Sequence, residues 1–161
     1  LHTHTTASDG RLTASELVRR AAKLGIKVLA ITDHDSTDGI EAALEAGRDL
    51  DVTVVPGIEI NTDVPGSEVH ILGYFLDHGD PALQERLGFL RSGRIGRARR
   101  MVEMLAEFGA PISLERVLSI AGPGAVGRPH VAQALVEARG DDPLVEKATI
   151  AFLEVGKEDP Y

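Results

Sequence analysis

Four short β-prone runs constrain this chain most, because each carries a histidine or a carboxylate at or near its end. They are Leu1–Thr5, with His2 and His4; Lys27–Thr32 (KVLAIT), followed at once by Asp33, His34 and Asp35; Val52–Glu59, ending in PGIE; and Glu68–Phe75 (EVHILGYF), with His70. Along a strand, residues i and i+2 point to the same face, so His2 and His4 aim together. Helix signals alternate with these runs. Thr13-Ala-Ser-Glu16 is a capping box that predicts a helix from about Ala14 to Leu24, stopped by Gly25. Ser36–Asp38 predicts the start of a second helix over about Gly39–Asp49, with Asp35 and Asp38 as helix-start caps. Alternating strands and helices with short loops predict a parallel α/β architecture. Ligands of such sheets gather beyond the carboxyl ends of the strands, so one rim would collect every group named above.

The pattern changes after Asp80. Val64-Pro-Gly-Ser67 predicts a turn before the fourth run, and Asp80-Pro81 opens a long helical stretch to about Phe108, closed by Gly109. Gly88, Gly93 and Gly96 weaken it enough to suggest two helices. Further helices are predicted at Ser113–Ala121, Pro129–Ala138 and Pro143–Val155. The division is therefore a mixed α/β segment over 1–79 and an all-helical block over 80–155. Met101, Met104, Leu105 and Phe108 recur at helical spacing and are expected in the core.

Bulk composition removes several classes of function. The 161 residues contain no cysteine, which excludes disulfides, thiolate metal sites and a cysteine nucleophile. That is compatible with the cytoplasm, where the protein is expected. No apolar run approaches the ~18 residues of a membrane span. The formal net charge is −8, so bulk charge does not attract nucleic acid or an anionic membrane. Any phosphate binding must rest on local cations or on bound metal.

Buried His, Asp and Glu side chains are costly unless they are paired or metal-bound, and packing alone does not gather them at four strand ends. Several histidines with carboxylates and no thiolate suit a multinuclear site with nitrogen and oxygen ligands. Two ions about 3.5–4 Å apart suit phosphoester hydrolysis, and Glu59 is the candidate carboxylate to bridge them.

The segments HTHTTASDG, ITDHD, PGIEI and HILGYF, in this order over residues 1–75, resemble the PHP (polymerase and histidinol phosphatase) superfamily. The resemblance implies a distorted (β/α)7 TIM-like barrel with two to three divalent metal ions at the strand C-termini, manganese favoured and iron or zinc open. It implies that His2 and His4 hold the first metal, that Glu59 bridges first and second, that His70 holds the second, and that Asp9 and His34 hold the third. A metal-bound hydroxide held by His2, His4 and Glu59 would be the nucleophile, with Asp33 orienting the ligands. Later family motifs, an AHP-like segment and a D-x-H segment, are not found among the six histidines at 2, 4, 34, 70, 78 and 130. The chain is therefore expected to cover somewhat over half of a longer protein. Residues 1–79 would be the N-terminal part of the barrel, 80–155 an inserted helical cap, and 156–161 the start of the return. A complete but catalytically broken chain is the alternative.

Joined to the helical block, AVGRPHVAQAL resembles one PHP branch, that of nucleoside 3',5'-bisphosphate phosphatases and 5'-to-3' exoribonucleases. It implies that Arg128 and His130 hold a substrate phosphate at a helix N-terminus. On the residues alone, a helix-initiating Pro129 beside a solvated Arg128 reads equally well. Arg91, Arg94, Arg97 and Arg100 recur every three residues, either as a solvated helix face or as a stripe that steers a nucleotide. His78, in DHGDP, reads as a turn residue. Aromatics are only 4%, and Tyr74, Phe75 and Phe89 are the few expected near the cleft, which favours one or a few nucleotides over a long strand. The expected partners are a small nucleotide or short RNA as substrate, with neither a membrane nor a stable nucleic-acid complex. Histidinol-phosphate phosphatase activity and a non-catalytic structural PHP module are the alternatives.

Overall fold

The computed structural model describes residues 1–64, 67–140 and 145; of residues 63, 64, 67 and 68 it describes the backbone. Helix α1 (Ala14–Lys23) begins at the capping box: Thr13 accepts from the Glu16 N–H, and the Glu16 carboxylate accepts from the Thr13 N–H at 2.9 Å. It ends at Leu24, followed by Gly25 at φ +74°. Its inner face carries Ala14, Val18 and Ala21. Strand β1 (Val28–Ile31) follows, then helix α2 (Ile40–Leu50), then β2 (Thr53–Val64) and β3 (Ser67–Tyr74). Helices α1 and α2 pack together with β1, burying Val18, Leu29, Ile31, Ile40 and Ala43 in one cluster. Each of the larger members contributes roughly 1.5–3 kcal/mol by leaving water.

The sheet has three strands in the order β1-β2-β3. The β1 and β2 strands pair in parallel from Val28↔Thr53 to Ile31↔Pro56. The β2 and β3 strands pair antiparallel from Gly57↔Tyr74 to Val64↔Ser67. An all-parallel sheet was expected, and this pair corrects it. The physical reason is the length of the connection: a parallel pair needs a crossover of a dozen or more residues, whereas here Val64 faces Ser67 directly. The turn expected at 64–67 falls partly on residues 65 and 66, outside the described ones.

Leu1–Thr5 is not a fourth strand. It lies extended beside the end of β1, held by Thr32 N–H to Thr3 O at 2.9 Å, Thr3 N–H to Thr32 Oγ1 at 3.0 Å and the Thr3 hydroxyl to Ala30 O at 2.6 Å. Two of these three bonds use a threonine hydroxyl where a ladder would use backbone groups. The start of α2 also differs. Its N-cap is Gly39, with no side-chain cap, while Asp35 is 2% exposed in a left-handed conformation at φ 48°. Asp35 and Asp38 therefore do not cap this helix.

The later chain is helical. Helix α3 (Pro81–Glu107) is one helix despite its three glycines, and α4 (Leu114–Ala121) and α5 (Arg128–Arg139) follow. The chain divides into two compact units, one of Leu1–Gly93 with Pro123–Ala125, the other of Arg94–Gly122 with the chain from Val126 onward. The core of the second unit gathers Ala98, Val117, Ala121, Val126, Val131 and Ala134, with Met101 and Leu105 packed against it. Met104 and Phe108, expected in the core, are 55% and 76% exposed. The packed face of α3 is set by Ala98, Met101, Val102 and Leu105, and Phe108 lies beyond the helix end. The helix expected over 143–155 falls outside the described residues except at Val145, which is buried against Ala110 and Leu135.

Candidate metal centre

Glu59 lies at the centre of the site. It sits in the middle of β2 and is 2% exposed. Backbone bonds draw the segment after β1 alongside it: Glu59 N–H donates to Asp33 O at 3.1 Å and Asp35 N–H donates to Glu59 O at 3.0 Å, forming an isolated parallel bridge between His34 and Glu59. Across the antiparallel ladder Glu59 faces Leu72, so His70, two residues earlier on β3, is its diagonal neighbour on the same face. The extended N-terminal segment brings His2 and His4 from the other side.

Four imidazoles therefore surround one carboxylate. His2 Nε2 and His4 Nε2 lie 2.9 and 3.0 Å from Glu59 Oε2, and His34 Nδ1 lies 3.4 Å from the same oxygen. His70 Nδ1 lies 2.5 Å from Oε1. Asp9 completes the cluster, its Oδ1 3.3 Å from His4 Nδ1 and its Oδ2 3.7 Å from His34 Nε2. Neighbouring rings are close, with centroids 5.0 Å apart from His2 to His4, 4.6 Å from His4 to His34 and 5.3 Å from His34 to His70.

Burial acts to raise the Glu59 pKa, but hydrogen bonds from His4 and His2, the charge of His34 and the His70 bond outweigh it and hold the carboxyl well below its usual range. Burial acts to lower the His4 pKa, but the Glu59 bond and the charges of Asp9, Glu59 and Asp33 lift it above its ordinary value.

This donor set fits divalent metal. Three ring nitrogens converge on a single carboxylate oxygen, and His2 Nε2 and His4 Nε2 stand 3.0 Å apart. One oxygen with two lone pairs does not satisfy three imidazoles as well as a cation among them would. Ligand atoms within 4.8 Å of one another define three overlapping groups: His2, His4 and Glu59; His4, Asp9 and His34; and His34, Glu59 and His70. All six residues expected as ligands from the sequence are thus brought together.

Asp33 belongs to none of these groups. Fully buried, it accepts the Thr5 N–H at 2.7 Å and the Ser8 hydroxyl at 2.6 Å on Oδ1, and the Thr5 hydroxyl at 2.7 Å on Oδ2. It anchors the loop that carries His4 and Asp9. Thr5 and Ser8 were not singled out from the sequence. The available signal was that a buried carboxylate needs donors, and the hydroxyls of HTHTTASDG were the nearest ones.

The remaining expected residues stand elsewhere. Arg128 opens α5 and His130 follows at its third position, buried, with Nδ1 accepting the Gly127 N–H at 2.9 Å. His78 occupies a turn, its Nε2 3.2 Å from Glu41. The arginine row is solvated only in part: Arg94 is 7% exposed and Arg91 donates to Asp35 O at 3.3 Å, while Arg97 is half-buried and Arg100 exposed. Arg86 lies over the exposed Phe89 ring, 5.5 Å from its centroid. Tyr74 donates to Leu1 O at 3.0 Å.

Known proteins share much of this sequence and fold. The profile of the PHP domain matches residues 1–107. The 5'-3' exoribonuclease Rnm of Salmonella typhimurium is 42% identical over 139 residues, which cover 85% of this chain and 47% of that protein. The 3',5'-nucleoside bisphosphate phosphatase of Chromobacterium violaceum is 34% identical over 139 residues, covering 86% and 49%. A solved structure from Bifidobacterium adolescentis, provisionally described as a metal-dependent phosphoesterase, superposes with a TM-score of 0.80 at 34% identity, covering 94% of this chain and 53% of that one. The chain thus spans about half the length of the curated relatives it matches. A profile matched over the segment that carries all six clustered residues, with a relative 42% identical over 85% of the chain, establishes that this chain belongs to the PHP domain family.

Proposed function

We propose that the protein is a metal-dependent phosphoesterase of small nucleotides. It would release phosphate from 3',5'-nucleoside bisphosphates, converting pAp to AMP, and trim short RNA from the 5' end. The observation that carries this reading is Glu59, shared by four imidazoles and flanked by Asp9, so that three donor groups overlap at one place. His2 and His4 would hold one ion, Glu59 would bridge it to a second held with His70, and Asp9 with His34 would hold a third. Two to three divalent ions, manganese favoured, would supply Lewis acidity and a water of lowered pKa.

The chain's own residues would do the rest. Asp33, through Thr5 and Ser8, keeps the His4–Asp9 loop in place before substrate arrives. Arg128, at the first position of α5, would grip a phosphate bidentately beside a helix N-terminus. Because His130 Nδ1 accepts a backbone N–H, its neutral ring carries the proton on Nε2 and would donate from there. The names of the Salmonella and Chromobacterium relatives support nucleotides as the substrate class. In the same reading residues 1–79 contribute to a distorted (β/α)7 barrel and 80–155 form its inserted helical cap.

The test is phosphate release from pAp by the protein as its gene encodes it, loaded with Mn2+, with histidinol phosphate as the comparison substrate. AMP as the product, at a kcat/KM well above that for histidinol phosphate, is the expected result. No release with metals bound removes the proposal.

A further inference from the structure

The Ser8 side chain, 1% exposed, stands between the buried anchor and the ligand cluster. Its hydroxyl lies 2.6 Å from Asp33 Oδ1, 3.3 Å from Asp9 Oδ1 and 3.4 Å from His4 Nδ1. A hydroxyl has one proton and two lone pairs. The short contact takes the proton to Asp33, which offers only acceptor atoms to it. Oγ then turns a lone pair toward His4 Nδ1, and the ring must answer with an N–H. The other neighbour of Nδ1, Asp9 Oδ1 at 3.3 Å, is also an acceptor and asks for the same proton. Asp9, however, belongs to a candidate ligand group, so a cation would compete for it. Ser8 is held by Asp33 instead, and its demand on the ring persists.

We infer that Ser8 is a positioning residue: through Asp33 it fixes His4 as the Nδ1–H tautomer and so presents the Nε2 lone pair to the metal cluster. Nε2 is the atom that faces His2 Nε2 and Glu59 Oε2, each at 3.0 Å. The partner of the non-ligating nitrogen commonly sets which nitrogen binds metal, and losing it typically costs about 10–100-fold in metal affinity. The inference rests on the metal-site reading above.

Two measurements on the full-length protein test it. The first uses histidine 15N shifts with Zn2+, a diamagnetic ion, bound, His4 being assigned through a His4→Gln variant. In the wild type, His4 is expected to carry its proton on Nδ1. An Nε2–H tautomer there overturns the inference without any variant. The second compares Zn2+ affinity of wild type and Ser8→Ala by calorimetry. The variant is expected to lose about 10–100-fold and to show mixed tautomers when free of metal. A Ser8→Ala protein with wild-type affinity and an unchanged tautomer overturns it. A wild type that binds no Zn2+ or Mn2+ instead defeats the metal-site reading, and the two failures are told apart.

Discussion

Asp33 shows what a single side chain sustains here. Its two oxygens take three hydrogen bonds inside the protein. Asp33→Ala would leave a backbone N–H and two hydroxyls without their acceptor. Each buried loss costs about 1–3 kcal/mol, and hydroxyls can rotate away, so a destabilisation of about 3 kcal/mol is expected. Denaturant unfolding measures it, and Asp33→Asn, which keeps one acceptor oxygen, should lose less. The titrating groups give a second prediction. His4 has its pKa raised, so the stability it contributes is complete below its ordinary 6.5 and is lost as pH rises through the raised value. Glu59 has its pKa lowered, so its contribution is present above its ordinary 4.5 and is lost as pH falls through the depressed value. A cation that takes His4 Nε2 must displace that proton. Mn2+ affinity should therefore rise with pH from about 6 and level off once His4 is neutral. Calorimetry in buffers of different ionisation enthalpy should show about one proton released below that level. Affinity independent of pH between 6 and 8 would contradict it. The clustering of these six residues was legible because His and carboxylate groups recur beside β-prone runs. Thr5 and Ser8 were not, since hydroxyl residues are common in loops and only burial of Asp33 gives these two a task. Asp35 was misread as a cap because nothing in its residue type announces a left-handed backbone.

At the level of elements, the segments with their own local chemistry were readable. The Thr13–Glu16 box, Ser113 ahead of α4 and Pro129 at the start of α5 each mark a helix within a residue or two of its observed boundary. Strand direction was not readable from alternation, although the short stretch between β2 and β3 already forbade a parallel pair. The long reach of β2 followed from that hairpin, which places Glu59 and His70 mid-strand rather than at a rim. One connection links a helical segment to the candidate site in a way no pattern suggested. Pro123–Ala125, between α4 and α5, packs with the first unit, and Ala125 N–H donates to Ala7 O at 3.0 Å. A Cβ on Gly124 would stand 2.8 Å from both Thr6 O and Ala7 O, which are backbone atoms of the loop that carries Asp9. Gly124→Ala must move that loop or the strap. The expected cost is about 1–3 kcal/mol, the usual range for overpacking. Thermal unfolding reads the stability, and Mn2+ affinity should fall with it, because the displaced loop holds a candidate ligand. A variant with unchanged melting and unchanged affinity would show that the strap does not position the site.

For the chain as a whole, charge and chemistry pull in opposite directions. A formal net charge of −8 repels the phosphates that the proposed reaction requires, so attraction must be local and short in range. The arginine row offered one remedy, a long-range steering stripe. Arg94 is buried and Arg91, half-buried, is tied to the Asp35 carbonyl, which breaks the row as a continuous solvent-facing stripe. In the proposed reading the groups that meet phosphate are bound metal and Arg128 with His130, contacts to one or two phosphates rather than to a strand. Proteins that neutralise six to ten phosphates lose about 10³–10⁵ in affinity between 50 and 200 mM salt. A site that meets one or two behaves otherwise, since its inner electrostatics are partly buried and escape much of the screening. For Mn2+-loaded full-length protein, kcat/KM on a 5'-phosphorylated RNA of two or three nucleotides should change by less than about tenfold across that salt range. Lengthening the RNA to about 20 nucleotides should not steepen the dependence, because the added phosphates find no partner among the groups proposed to bind phosphate. Steady-state rates at four salt concentrations and two lengths decide the matter. A slope that grows with RNA length would reveal an extended basic track, and would return the arginines of α3 to a steering role.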